Sequence, residues 1–166
     1  MASFLIPKTH LATRQVRRII ELFDLEVPAS RAANLVGVNR HTTERLYKLI
    51  SVDLVSQHLT YSLGGKTLEQ FAISGGLPRT PTPVGDFNVI TKRDTVHYRG
   101  VGFDYPNTKW NLRFAWGRGF SYYIHGAWWH NDFGAPRSHG CVNVAYDNME
   151  RLYTWTQVGT KVIISS

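Results

Sequence analysis

The 166-residue sequence predicts a mainly β domain, folded as a sandwich or a barrel, that follows a small N-terminal helical segment. From Ser51 onward apolar and polar residues alternate, which is typical of half-buried strands. Glycine- and proline-rich stretches separate these runs, as turns separate the short strands of sandwiches and barrels. Before Ile50 the apolar residues recur at helical spacing instead. We therefore predict a helical domain over residues 1–50 and a β domain over residues 51–166.

Three short helices are predicted in the helical domain. The first has a single apolar face, formed by Val16, Ile19, Ile20 and Phe23. Ser30 can cap the second helix, Gly37 permits a sharp turn, and Asn39 can cap the third helix. The third helix is expected to present an apolar face formed by Leu46, Leu49 and Ile50. This arrangement fits a helix-turn-helix.

The β domain is expected to begin with hairpins and to contain one late helix. Apolar residues alternate over residues 52–54 and 59–63, and Gly64-Gly65 provides a turn before residues 67–73. Further strands are predicted over residues 86–91, 96–103, 111–115, 122–125 and 161–165. In this half of the chain, residues 146–155 alone repeat apolar residues at helical spacing.

The composition limits the classes of protein to consider. Hydrophobic residues make up 43% of the chain, so it can bury a core and is not wholly disordered. No apolar run approaches the roughly 20 residues of a membrane-spanning helix, and the opening residues lack the basic-then-apolar order of a secretory signal. The net charge of +7 favours polyanionic partners, such as nucleic acid or an acidic cell envelope. Residues 1–50 are the more basic part of the chain per residue.

Residues able to do chemistry are concentrated in residues 122–144. This segment holds three of the seven histidines and the single cysteine, Cys141, which excludes an internal disulfide and a four-cysteine zinc site. A thiol is a strong nucleophile when an imidazole takes its proton, and backbone N–H groups can stabilise the oxyanion that forms. Gly140 lets the backbone approach a substrate carbonyl, and the N–H groups of Gly140 and Cys141 could donate to it. This layout indicates cysteine-dependent acyl transfer.

Other interpretations of this segment stay open at the level of the residues. Cys141 can be a buried small apolar residue, or it can bind zinc together with His125, His130 and His139, although the spacing differs from paired zinc motifs. The segment is also rich in aromatic residues, namely Tyr122, Tyr123, Trp128, Trp129 and Phe133. These rings can form the wall of a substrate groove or belong to ordinary core and loop packing.

Three stretches, in the right order, resemble the catalytic domain of the L,D-transpeptidases. Residues 138–143, SHGCVN, are similar to the family's Ser/Thr-His-Gly-Cys signature, and His125-Gly126 is similar to the His-Gly that precedes it. Residues 80–87 resemble the family's Thr-Pro-x-Gly-x-Phe segment, and residues 52–60 resemble its first hairpin. The resemblance covers about residues 50–166 and implies an L,D-transpeptidase-like β-sandwich or barrel.

The resemblance implies a role for each residue of the signature. Cys141 is expected to be the nucleophile and His125 the general base, with the backbone carbonyl of Gly126 orienting the imidazole. His139 is expected to tune the thiolate or to help stabilise the oxyanion. The remaining positions are expected to bind the substrate or the oxyanion, or to hold the loop: Ser138, Gly140 and Asn143.

The resemblance also implies a reaction. The thiolate of Cys141 would attack the carbonyl of the third residue, a diamino acid, in a peptidoglycan tetrapeptide stem, and the terminal D-alanine would leave. The acyl group would then pass to an amine of a second stem, giving a cross-link, or to water. No metal or organic cofactor is implied, and carbapenems are expected to acylate the same thiol. The family implies a location outside the cytoplasm, at the cell wall.

The basic N-terminal segment suggests a different function. Residues 31–43 resemble the helix-turn-helix that opens many insertion-sequence transposases, although no acidic metal cluster of a transposase nuclease follows. Possible contacts with duplex DNA are Arg17, Arg18, Arg40, Thr42 and Arg45. The simpler interpretation is a helical scaffold on the β domain. The alternative function is a DNA-binding protein with an inactive C-terminal domain, and because DNA and peptidoglycan occupy different compartments, the sequence leaves the location open.

Overall fold

The computed structural model describes residues 11–25, 27, 29–63, 66–117 and 119–166. It begins with three helices: α1 (Thr13–Asp24), α2 (Ala29–Val36) and α3 (Arg40–Tyr47). The strands in the described residues are β1 (Lys48–Asp53), β2 (His58–Leu63), β3 (Lys66–Ser74), β4 (Gly85–Asn88), β5 (Thr91–Gly100), β6 (Phe103–Gly117), β7 (Phe120–Gly126), β8 (Val142–Val144) and β9 (Lys161–Ser165). A fourth helix, α4 (Tyr146–Trp155), precedes β9. Within these described ranges, no helix has both the length and the apolar character to cross a membrane.

All of these strands belong to one sheet, in the order β4-β9-β1-β2-β3-β8-β7-β6-β5. Neighbours run antiparallel except for two parallel pairs, β1 with β9 and β7 with β8. A parallel pair needs a crossover connection, which is usually a helix. Between β7 and β8 the connection is instead the irregular segment 127–141, so the cysteine-bearing loop is itself the crossover.

The core lies inside the curl of the sheet. Val162 of β9, near one end of the strand order, belongs to the same buried cluster as Leu112 of β6, near the other end. Met149 and Leu152 of α4 are fully buried in that cluster. Because strands from both ends of the order share one core, the sheet is curled into a half-barrel around α4. The predicted mainly β class with small N-terminal helices is confirmed.

The third helix ends earlier than its apolar pattern predicts. The expected helical face with Leu49 and Ile50 is wrong, because α3 stops at Tyr47 and β1 begins at Lys48. Ile50 pairs with β2 on one side and β9 on the other, and it is fully buried in the core. Pairing on both edges therefore overrides the local helical spacing. The first strand thus starts before the boundary expected after Ile50, and the division into two domains stays a prediction.

The longest strands form one hairpin that the sequence pattern divided differently. β5 and β6 pair along their length, and the chain turns at Val101-Gly102, where Gly102 has a φ of +82°. The predicted strands over residues 96–103 and 111–115 are pieces of this hairpin. A register shift between Val96 and Tyr98 breaks the alternation, so the pattern understates the length of the strands.

Some of the sequence-based expectations fall on residues that the structure does not describe. The predicted turn at Gly64-Gly65 lies outside the described residues, although β2 and β3 on either side of it pair as an antiparallel hairpin. The opening residues 1–10 also lie outside them.

Candidate active site

The β5–β6 hairpin, β7 and the crossover loop enclose a cavity of about 520 Å³. The hairpin contributes aromatic rings, from Tyr98, Phe103 and Tyr105. The strand β7 and the loop contribute the residues singled out in the sequence, namely His125, Ser138, His139, Cys141 and Asn143. The structure thus brings the SHGCVN segment and the upstream histidine to one cavity.

The pairing of β7 with β8 explains how two distant residues share this cavity. His125 is paired with Asn143 and Ile124 with Val142, so Cys141 lies just before the pairing begins. Side chains alternate along a strand, which puts Cys141 and Asn143 on the same face of the sheet as His125. Cys141 and His125 therefore occupy diagonal positions on neighbouring strands, and both side chains line the cavity.

The thiol of Cys141 is half-buried and protonated. Burial raises the pKa of the thiol to about 11, and a hydrogen bond with the backbone of Tyr123 offsets only part of this increase. A register shift in the neighbouring β6–β7 pair, between Arg113 and Ala115, lies opposite Tyr122 and Tyr123. Such irregularities are common beside active sites because they turn backbone groups out of the strand ladder.

His125 is held in one tautomer. Its Nδ1 lies 2.9 Å from the carbonyl oxygen of Gly126, and a carbonyl only accepts, so Nδ1 carries the proton and Nε2 has its lone pair. The ring is 3% exposed and stacks on Tyr98 with centroids 4.5 Å apart. Burial lowers the pKa of His125 to about 4, with the Gly126 carbonyl acting in the opposite direction. The imidazole is therefore neutral and can accept a proton.

Gly126 leaves no room for a side chain. A Cβ at this position would lie 2.6 Å from the ring of Tyr146 and 3.1 Å from the backbone oxygen of Lys109. The hydroxyl of Tyr146 also accepts from the backbone N–H of Lys109, at 3.2 Å. The first residue of α4 thus packs directly on the peptide that orients His125.

Ser138 fastens the loop that carries the thiol. Its hydroxyl donates to the carbonyl oxygen of Cys141 and accepts from the N–H of Gly140, at 3.0 Å. Its backbone N–H donates to the carbonyl oxygen of Gly75 at 3.0 Å, and its carbonyl oxygen accepts from the N–H of Leu77 at 2.9 Å. These contacts fit the expectation that Ser138 holds the loop.

Gly140 has a different use from the one expected. Its N–H was expected to donate to an oxyanion, but it donates to the hydroxyl of Ser138 instead. The expectation of a backbone oxyanion donor then rests on the N–H of Cys141. Glycine is required at position 140, because its φ is +119° and a Cβ would lie 2.9 Å from the ring of Tyr122.

Asn143 is buried and oriented by His130. The N–H of Asp132 donates to Nδ1 of His130 at 3.3 Å. The other ring nitrogen of His130, Nε2, lies 3.0 Å from Nδ2 of Asn143. Asn143 also lines the cavity, so its NH2 is a second possible donor to a substrate.

The remaining residues of the segment divide between the cavity and packing. His139 is exposed, and its ring stacks on Phe103 at 4.7 Å. Trp129 lines the cavity and stacks on Tyr105, with centroids 3.8 Å apart and an angle of 3°. The groove-wall interpretation therefore suits Tyr123 and Trp129, which line the cavity. The packing interpretation suits the other rings, Tyr122 in the core and Phe133 against His130, while Trp128 is 54% exposed.

The hairpin residues were missed in the sequence because they are brought to the site by strand pairing alone. Tyr98, Phe103 and Tyr105 lie between 36 and 43 residues before Cys141 in the sequence, and nothing in their local pattern marks them as belonging to its site. The alternation of Val96 and Tyr98 predicts a strand, but it does not predict that one face of this strand lines the cavity. The zinc alternative finds no support, since no three His, Cys, Asp or Glu side chains of the described residues are grouped as metal ligands.

The predicted DNA contacts lie on the helices and away from this cavity. Arg17, Arg18 and Arg40 are exposed and Thr42 is half-buried, while the side chain of Arg45 lies outside the described residues. Arg18 is paired with Glu21 at 3.0 Å. Asn39 caps α3, as predicted, with its Oδ1 accepting from the N–H of His41 at 2.8 Å.

Comparison with known proteins identifies the family. The family model of the L,D-transpeptidase catalytic domain (YkuD) matches residues 47–164. L,D-transpeptidase 1 of Mycobacterium tuberculosis is 32% identical, over 69% of this chain and 49% of its own length. The chain thus spans about half the length of this curated relative.

Solved structures agree with this match. An L,D-transpeptidase from Mycobacterium smegmatis superposes with a TM-score of 0.65 and 30% identity, covering 72% of this chain and 59% of that one. An L,D-transpeptidase solved in complex with imipenem has the same TM-score and coverage at 26% identity. The SHGCVN segment, the preceding His-Gly and the curled sheet thus occur together in a chain whose sequence and fold both match the same group of enzymes. The chain belongs to the L,D-transpeptidase family.

Proposed function

We propose that this chain is a cysteine-dependent acyl-transferase that acts on peptidoglycan stem peptides. It would cleave a tetrapeptide stem after its third residue and pass the acyl group to an amine of a second stem or to water. The observation that carries the proposal is the placement of Cys141 and His125 on one face of the β7–β8 pair, in one cavity. Membership of the family supports the choice of substrate. Such a substrate would place the protein outside the cytoplasm.

The neutral state of both reactive groups defines the first step. A thiolate beside an imidazolium would require two charges in a site where burial disfavours both. Nε2 of His125 would therefore take the thiol proton as Sγ bonds to the carbonyl carbon of the third residue. The negative charge then develops on the substrate oxygen, where the N–H of Cys141 and the NH2 of Asn143 could stabilise it.

The remaining steps return the proton. As the tetrahedral intermediate collapses, the C–N bond breaks, the imidazolium of His125 protonates the leaving amine, and D-alanine departs from a thioester on Cys141. The amine of a second stem then attacks the thioester carbonyl and gives a proton to His125. Collapse breaks the C–S bond, and this proton restores the thiol. The thiol of Cys141 and the imidazole of His125 thus carry the acyl group and the proton through both half-reactions.

Acylation by imipenem tests this proposal directly, because the opening of a β-lactam uses the same thiol, base and oxyanion site. We expect the intact mass of the protein to rise by one equivalent of imipenem, and Cys141→Ala to gain none. His125→Asn keeps a donor for the Gly126 carbonyl but removes the base, so its acylation should be slowed by roughly 10²- to 10⁴-fold. His58→Asn, on a half-buried residue of β2 that does not line the cavity, is the matched control and should react like the wild type.

Two results would contradict the proposal. An adduct on Cys141→Ala would mean that imipenem reacts elsewhere, and the absence of an adduct on the folded wild-type protein would mean that the site does not perform acyl transfer. Release of D-alanine from a synthetic tetrapeptide stem is the corresponding measurement with substrate, and it should depend on the same two side chains.

DNA binding by the helices stays a prediction. The comparisons reported above concern L,D-transpeptidases, and they do not support a transposase-type helix-turn-helix or an inactive β domain. The capped α3 and the exposed Arg17 are the observations in its favour. A mobility shift of duplex DNA at low salt that weakens in Arg17→Ala would support it, since phosphate contacts depend on salt.

A further inference from the structure

The cavity has a one-sided charge. None of the described residues that line it is an aspartate or a glutamate, whereas two arginines, Arg99 and Arg137, do line it. His97 and His139 lie along the same lining. The rest of the lining is mainly aromatic, which leaves the two guanidinium groups as its permanent charges. A site of this kind attracts anions and disfavours cations.

The two arginines approach the cavity from different elements. Arg99 lies near the end of β5, in the hairpin, and its side chain is 79% exposed. Its Nε lies 3.9 Å from Oδ2 of Asp104, and the other oxygen of Asp104 already contacts His97. The guanidinium of Arg99 is thus weakly paired on a largely exposed side chain.

Arg137 is fixed more firmly and lies close to the thiol in sequence. Its backbone N–H donates to the carbonyl oxygen of Gly75 at 3.0 Å, and the N–H of Ser138 donates to the same oxygen. One guanidinium nitrogen lies 2.8 Å from a carboxylate oxygen of Asp132, and the side chain is still 56% exposed. Guanidinium has five N–H donors, so this single contact leaves others for a ligand.

We propose that Arg99 and Arg137 form an anion-binding rim that selects donor stems with free carboxylates over stems in which those groups are amidated. This inference rests on the proposed function. In a tetrapeptide stem, carboxylates flank the scissile carbonyl: one ends the D-alanine, and a second can sit on the side chain of a diamino acid. Guanidinium binds carboxylate through two parallel hydrogen bonds, whereas a carboxamide offers one acceptor oxygen and no charge. Amidation would therefore weaken binding at this rim.

Three synthetic stems test the rim: one with both carboxylates free, one amidated at D-alanine and one amidated at the diamino acid. For each stem, kcat/KM is measured as release of the fourth residue. We expect the wild-type protein to prefer the free stem by about tenfold over at least one amidated stem, a size suited to charged hydrogen bonds at a partly solvated site. Arg99→Gln or Arg137→Gln should reduce that preference to less than about threefold.

Matched variants separate charge from packing. Arg137→Lys keeps the positive charge but cannot form the two parallel hydrogen bonds, so it should keep only part of the preference. Arg14→Gln makes the same charge change on α1, at an exposed residue that does not line this cavity, and should behave like the wild type. Because Arg99 and Arg137 are largely exposed, their substitution is expected to leave the fold intact, which the melting temperature checks.

The outcomes distinguish this inference from the proposed function. Equal turnover of all three stems by the wild-type protein would overturn the anion-binding rim and leave the proposed function standing. An equal loss on all stems in both glutamine variants would also overturn it, because the arginines would then act on the fold or the thiol. Failure of the wild-type protein to turn over any stem would overturn the proposed function itself.

Discussion

Cys141 and His125 both lose water on folding, and this loss shifts their pKa values in opposite directions. The acid becomes weaker and the base becomes weaker, so the pair stays uncharged over a wide range of pH. In the proposed reaction, the lone pair on Nε2, fixed by the Gly126 carbonyl, would let the neutral imidazole accept the thiol proton at the moment of attack. Reactivity is thus expected to depend on substrate binding more than on a preformed thiolate.

The pH dependence of alkylation tests the state of the thiol. With a pKa of about 11, the thiolate fraction of Cys141 rises about tenfold for each pH unit up to that value. We expect the rate of reaction with a small haloacetamide, followed by intact mass, to climb steadily between pH 6 and 10. The unfolded protein should instead level off near the ordinary thiol pKa of about 8.5. A plateau below pH 8 in the folded protein would show a thiolate that burial does not suppress.

At the scale of elements, the site is assembled where α4 meets β7. Gly126 is the last residue of β7, and Tyr146 is the first residue of α4. The ring of Tyr146 lies where a side chain at position 126 would be. The hydrogen bonds of Ser138 with Cys141, Gly75 and Leu77 fix the crossover loop in the same region. Cys141 and His125 are therefore held in place by β7, the crossover loop and α4 together.

Gly126→Ala should disturb this junction. The added Cβ meets the Tyr146 ring and backbone of β6, so overpacking is expected to lower the free energy of unfolding by about 1–3 kcal/mol. The rate of imipenem acylation should fall as well, because the shifted peptide carries the acceptor for Nδ1 of His125. Gly117→Ala is the control, since its Cβ would meet only an ordinary contact at 3.5 Å with Tyr122. Equal stability of the two variants, measured by denaturant unfolding, would argue against the tight junction.

The sequence predicts the elements better than it predicts their meeting points. Val16 and Ile19 show the helical period, and Asn39 marks the start of α3, because these signals are local. Ile50 follows the helical period but lies in β1, since its pairing with β2 and β9 is not visible in nearby residues. Similarly, β8 has only three residues, too few for a period, and it was not predicted as a strand.

The candidate site follows the same rule. The signature around Cys141 and the upstream His125 predict one cavity by resemblance, and the structure does bring them to one cavity. Tyr98 and Arg99 reach it through a hairpin whose register shift hides its length, so no local pattern could assign them. The engagement of the Gly140 N–H by Ser138 depends on the geometry of the loop, which the order of residues does not determine.

For the whole molecule, the burial of His125 links stability to pH. Burial lowers the pKa of His125 to about 4 in the folded protein, whereas in the unfolded chain its pKa is near the ordinary histidine value of 6.5. Between these values the unfolded state binds more protons, so stability is fully present above pH 6.5 and is lost as the pH falls to 4. The loss is on the order of 3 kcal/mol for a shift of this size.

Denaturant unfolding at pH 7 and pH 4 measures this linkage. The wild-type protein should lose more stability between the two values than His125→Asn, whose amide does not titrate. Other groups shared by both proteins contribute equally and cancel in the comparison. Identical losses in the two proteins would mean that His125 is not held neutral by the fold.

The protonated thiol has a consequence for the survival of the protein under oxidising conditions. Peroxides attack thiolates and react slowly with thiols, so a cysteine kept in the SH form is a poor target for them. The 166 residues contain no second cysteine that could trap a sulfenic acid as a disulfide and return it to the thiol. Oxidation at Cys141 would thus have no internal repair, and the burial that slows its resting chemistry also protects it from that damage.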